Sequence, residues 1–208
     1  MNVLNKEKAD KLIERVLRAQ REILANLNQE SIDVYKFLQA EFSKGDVTKN
    51  HLFQFVYRSF YRLDNAGLTP EFKMRYFELM EKSRSSENIN PEPILKELYE
   101  ILTRKDLKSF QFSFTTKLVN TINNSHPIYD SEVSKVIIGT DNRPTGEFPK
   151  KLNLYLSRHQ IIKDTYSHIL ESNAFSSLFN EFDNSFLGNE LSDFKKLDFI
   201  FWSYGKLL

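Results

Sequence analysis

One lysine and one aspartate, Lys117 and Asp130, are the residues of this sequence whose types and spacing propose a reaction. An amine is a nucleophile once it loses its proton, and a carboxylate beside it can support positive charge on the atom attacked. Lys117 closes the stretch Ser109-Phe110-Gln111-Phe112-Ser113-Phe114-Thr115-Thr116-Lys117, and Asp130 follows Pro127-Ile128-Tyr129. On one unbroken helix the two side chains would stand about 20 Å apart, at roughly 1.5 Å of rise per residue. Joint chemistry would then be impossible. But Asn123-Asn124-Ser125 are poor helix formers and Pro127 pushes His126 toward extended backbone, so the sequence predicts a stop near Asn123. The climb from Lys117 is then about 9 Å, and the rest of the chain to Asp130 can extend about 23 Å, enough to return to the helix start. Asp130 reads as the N-cap of a short helix opening Ser131-Glu132-Val133, with an acid in its first turn.

The elements that must position these residues are helical throughout. Leu12, Val16, Ala19 and Ile23 line one face of a first helix; Ser31 opens a second that Gly45 stops. A third, about 48–63, carries Phe53, Val56, Tyr57, Phe60 and Tyr61 through the core. Thr69-Pro70-Glu71 and Asn90-Pro91-Glu92 are capped starts with proline at the first helical position. A polar connector spans Ser83 to Asn90, and a turn-rich loop spans Gly139 to Pro149 with Asn142, Pro144 and Gly146. Helices at about 150–172, 174–186 and 190–205 complete the chain. The predicted class is an all-α helical bundle, as a single domain 1–208 or two lobes, about 1–103 and 104–208.

Composition limits the function. The 208 residues are 40% hydrophobic, with 18 Phe and 9 Tyr, which specifies a folded core. No segment approaches the run of about 18 apolar residues that spans a bilayer, so no membrane partner is expected. Met1 to Lys8 lack a signal peptide's apolar stretch, and a cytoplasmic location is expected. Absence of cysteine excludes disulfides, thiolate metal sites and a cysteine nucleophile. There is no phosphate-cradling Gly-Lys-Ser/Thr loop, no histidine pair at zinc spacing and no nucleophile elbow; neither metal nor cofactor is expected. A net charge of +1 confines any nucleic-acid contact to a local surface. Residues 104–163 carry 10 basic and 5 acidic side chains, against 16 of each in 1–103 and 3 and 7 in 164–208. Arg104, Lys105, Lys108, Lys135, Arg143, Lys150, Lys151, Arg158 and Lys163 are therefore the candidate phosphate contacts for a DNA partner.

Ser113-Phe114-Thr115-Thr116-Lys117-Leu118 with Pro127-Ile128-Tyr129-Asp130-Ser131 resembles the catalytic core of the helix-hairpin-helix DNA glycosylases, and in particular bacterial proteins grouped with the 8-oxoguanine glycosylase fold. The terminal Leu197-Asp198-Phe199-Ile200-Phe201-Trp202-Ser203-Tyr204-Gly205-Lys206 is similar to a closing helix of the same group. The resemblance implies a glycosylase-like core that excises a damaged or modified base, with Lys117 as nucleophile and Asp130 supporting charge at the sugar. It also departs from the family: Phe112-Ser113-Phe114 stands where the hairpin usually reads Gly-hydrophobe-Gly, and glycines let backbone amides approach a DNA phosphate.

A base is reached only after its nucleotide leaves the stack, and the attacking lysine must be neutral, against an ordinary pKa of about 10.4. Phe110, Phe112 and Phe114 offer a dry wall; a neighbouring Asp130 favours the ammonium instead. Each candidate also has a plainer reading. Lys117 and Asp130 can be solvated surface groups, and Asp130 a cap alone. Phe114 and Tyr129 are candidate base contacts or core; His126 is a candidate contact or a turn residue; Trp202 lines the base pocket or anchors its helix. The alternative function is a non-catalytic helical interaction module on the same scaffold, a host or phage defence component.

Overall fold

The structure is a computed structural model that describes residues 6–139 and 146–208. Asn142, Arg143 and Pro144 of the expected turn-rich loop lie outside the described residues. Among the described residues every regular element is helical: α1 (Lys6–Arg18), α2 (Gln20–Ala25), α3 (Gln29–Lys44), α4 (His51–Phe60), a 3-10 turn (Leu63–Ala66), α5 (Pro70–Lys82), α6 (Pro91–Tyr99), α7 (Phe112–Ile122), α8 (Ser131–Ile137), α9 (Phe148–Glu171), α10 (Ser176–Ser185) and α11 (Asp193–Leu207). The all-α class is as the periodicity predicts. The chain forms two compact units, one of residues 30–126 and one in which residues 1–29 join residues 127–208. The expected two-lobe boundary near residue 103 falls between α6 and α7, which pack together inside the unit 30–126.

The caps are local chemistry, and they form where the residue types require. Thr69 Oγ1 accepts from the Phe72 amide at 3.2 Å and Asn90 Oδ1 from the Glu92 amide at 2.9 Å, each followed by proline at the helix start. Two expected helices are shorter than their apolar pattern. The first breaks at Ala19, whose amide reaches both Arg15 O and Val16 O, a tightened turn; Leu12, Val16 and Ile23 stay buried on either side of it. The third ends at Phe60, because Arg62 takes a left-handed φ of 59° and only the 3-10 turn follows, closed by Gly67 at φ 67°.

The core of the unit 30–126 is aromatic. Tyr57 meets Phe53, Tyr76 and Phe77 with ring centroids 5.5, 5.9 and 5.6 Å apart, and all four are buried. In the other unit α11 is the central helix, packed on α2, α8 and α9. Its Leu197, Ile200 and Phe201 are fully enclosed, and Ser203 Oγ donates to the Ile23 carbonyl at 2.7 Å, tying α2 to it.

Candidate functional site

Lys117 stands in the second turn of α7, because that helix begins at Phe112, ahead of the lysine. Phe112 and Phe114 are consequently helical. The three threonines of α7 satisfy their hydroxyls within the helix: Thr115 and Thr121 donate to the carbonyls of Gln111 and Lys117, four residues back, and Thr116 to Ser113 O. A buried chain of hydroxyls grips the same helix from the core. Tyr76 OH donates to Phe114 O at 2.7 Å, so the Tyr57 hydroxyl, 2.9 Å away, donates to Tyr76, and Thr121 Oγ1 lies 3.3 Å from Tyr57 OH. Burial holds both phenols well above the ordinary tyrosine range, so they remain neutral donors.

On that helix the half-buried Lys117 amine donates to Ser113 Oγ at 3.2 Å and lies 5.1 Å from the Phe114 ring and 5.7 Å from the Tyr61 ring. Phe112 is buried and stacks on the half-buried Phe110 at 6.2 Å. Serine and two aromatic faces therefore surround the ammonium. Phe112-Ser113-Phe114 form the first turn of α7, preceded by the irregular connection 100–111. α7 ends at Ile122 with Asn123 as its cap, where the poor helix formers begin. His126 is a turn residue here: its amide donates to Asn123 O, and its carbonyl accepts from Asn120 Nδ2 at 2.7 Å.

The boundary between the two units falls between His126 and Pro127, so Asp130 belongs to the other unit from Lys117. Asp130 is the N-cap of α8, accepting from the Glu132 amide at 2.8 Å with an extended backbone of φ −114° and ψ 156°. The approach to it is fixed from two helices. His159 Nε2 lies 2.7 Å from Pro127 O; a carbonyl only accepts, so Nε2 carries the proton. Asp198 Oδ1 accepts from the Ile128 amide at 3.2 Å and from Tyr166 OH at 3.1 Å, while Oδ2 accepts from Lys195 Nζ at 3.1 Å. Asp198, Tyr166, Lys195 and His159 are all buried. Burial pushes the Asp198 carboxyl up and the Lys195 amine down, each opposed by the other's charge; Tyr166 is raised by burial and by Asp198.

Tyr129 is buried with its ring edge-on to Tyr155 at 5.1 Å, and Trp202 is half-buried in α11 beneath the Lys206 amine, 5.4 Å from its ring. The basic residues named for DNA are divided: Arg104, Lys105 and Lys108 in one unit, Lys135, Lys150, Lys151, Arg158 and Lys163 in the other, with Arg143 outside the described residues. Lys108 pairs with Glu100, and Lys135 pairs with Glu132 at 3.1 Å. No family model, curated protein or solved structure matches the chain.

Asp198 and its partners form a buried polar cluster that sequence reasoning passes over. A signal exists: an aspartate between Leu197 and Phe199-Ile200-Phe201 cannot be buried without partners, and buried carboxylates recruit donors. Gly205, near the end of α11, is the other, and its signal is a glycine inside a helix.

Proposed function

We propose that the chain is a DNA glycosylase-like protein that excises a damaged or modified base, with Lys117 as nucleophile and Asp130 as the electrostatic partner. The observation that carries the reading is the immobilised acid: Asp130 caps α8 at the position where the sequence resemblance requires a fixed carboxylate. Lys117 supports it, as an amine on a helix whose Phe114 carbonyl is held from the core by Tyr76 and whose neighbours include two aromatic rings.

In this reading the neutral Lys117 amine attacks C1′ of an extruded nucleotide. The N–C1′ bond forms as the bond from C1′ to the base breaks, and the base departs with the electron pair and takes up a proton. The attached nitrogen gives up the proton that the departing base takes up, and opening of the sugar ring, with O4′ taking its bonding pair and a proton from solvent, then leaves an iminium between Lys117 and C1′, the species from which strand cleavage proceeds. The Asp130 carboxylate opposes the positive charge that develops at the sugar. A base-excision assay on duplexes bearing a panel of modified bases, comparing the wild type with Lys117→Ala and Asp130→Asn, tests it.

The helical interaction module is the second reading, favoured by one observation. Phe112-Ser113-Phe114 is a helical turn with bulky side chains, not the glycine hairpin that lets amides approach a phosphate. No base released across the panel supports the module.

A further inference from the structure

The segment Pro127–Tyr129 delivers the chain into the Asp130 cap, and the Ile128 amide hydrogen is received by a carboxylate seventy residues away in sequence. That carboxylate is buried, and it is arranged as a hub: Tyr166 OH and Lys195 Nζ reach it as well, at 3.1 Å each. A buried ion pair seldom improves on apolar side chains of the same volume, so stability alone gives weak reason for Lys195 and Asp198 to be there. Direction gives a better one. An amide donating to a charged acceptor fixes the peptide plane of Ile128, and two residues later Asp130 must hold an extended backbone for its side chain to meet the Glu132 amide.

We propose that Asp198 is a positioning residue for Asp130: it sets the backbone that aims the Asp130 carboxylate, and Lys195 balances its charge. Asp198 acts through the Ile128 amide and touches no substrate. The catalytic consequence rests on the glycosylase reading; the structural consequence does not.

Two double variants of the full chain isolate the acceptor. Lys195→Met with Asp198→Leu removes the ion pair and the acceptor together, in apolar side chains of similar size that keep the helix packed. Lys195→Met with Asp198→Asn removes the charges but leaves a carbonyl oxygen for Ile128. Amide hydrogen exchange followed by NMR reads Ile128 and Glu132 directly. The expected result is faster exchange at both amides in the Met/Leu chain, by roughly fivefold or more at Glu132, the equivalent of a lost N-cap, and wild-type protection in the Met/Asn chain. Where the wild type excises a base, the Met/Leu chain lowers the single-turnover rate with DNA affinity unchanged, and the Met/Asn chain restores it. Equal exchange in all three chains overturns the proposal, as does equal loss in both variants. A Met/Leu chain that loses its helical circular dichroism while Met/Asn keeps it makes Asp198 a folding residue and overturns it as well. A wild type that excises nothing counts against the glycosylase reading only, because the amide exchange still decides this one.

Discussion

Gly205 in α11 lies so close to Glu132 in α8 that a Cβ on the glycine would stand 2.6 Å from both the Glu132 Cβ and its carbonyl oxygen. One of those two atoms is backbone and cannot swing aside. Glycine is therefore what lets α8, the helix capped by Asp130, cross α11 at this distance.

Gly205→Ala accordingly reverses the usual sign. Alanine in a helix interior ordinarily stabilises by about 0.5–1 kcal/mol, but forcing a methyl into a filled contact costs about 1–3 kcal/mol. Overpacking wins, and the thermal midpoint should fall by several degrees. An unchanged or raised midpoint would show that the two helices separate without penalty.

Asp130 separates capping from charge. Asparagine caps a helix about as well as aspartate, whereas alanine costs about 1 kcal/mol. Asp130→Asn should therefore keep the wild-type midpoint within a few tenths of a kcal/mol and lower base excision by roughly a hundredfold, the scale of losing one electrostatic stabiliser. Excision unaffected in Asp130→Asn would leave the residue a cap and nothing more.

The hydroxyl chain beneath α7 predicts non-additive mutations. Tyr76→Phe leaves the buried Tyr57 hydroxyl without its acceptor and should cost about 1–3 kcal/mol. Adding Tyr57→Phe should cost less than the sum of the singles, because removing both partners is nearly neutral. Additive losses in urea unfolding would deny that the hydroxyls are coupled. Both phenols are raised in the fold, so their stabilisation is full below the ordinary tyrosine range and is lost as pH rises above it; alkaline difference spectra should show them ionising only with unfolding.

Acid stability has a local origin in the unit 30–126. Hydrogen bonding to Arg84 is the first reason the Glu81 carboxyl is held below the usual range, and the Val47 amide adds to it. Arg84 meanwhile donates to the carbonyls of Phe42 and Gly45, so the pair fastens the connection between α3 and α4. A carboxylate lowered on folding contributes stability above its unfolded pKa and loses it as pH falls through the folded one. The denaturant midpoint should drop on acidification below about pH 5, and Glu81→Gln should start lower and drop less. An identical pH profile for Glu81→Gln would exclude Glu81 from acid sensitivity.

What the sequence made legible is what neighbours in sequence decide. The Thr69, Asn90 and Asp130 caps and the stop at Asn123 each need only a short polar side chain or a proline within a few residues. The start of α7 at Phe112 was not legible, because Phe110, Phe112 and Phe114 carry neither a cap nor a helical spacing. The grip of Tyr76 on Phe114 O comes from another helix, and no local spacing marks it. The hold on Ile128 was hidden for the same reason: Asp198 and His159 reach it from helices far along the chain, and no local spacing marks such a pair.

Borohydride trapping tests the central claim most directly. Reduction of the iminium joins Lys117 covalently to the sugar, so duplexes bearing modified bases should yield a protein–DNA adduct with the wild type. Lys117→Ala should yield none. An adduct that persists in Lys117→Ala, or none from the wild type with any base in the panel, would contradict nucleophilic attack by this lysine.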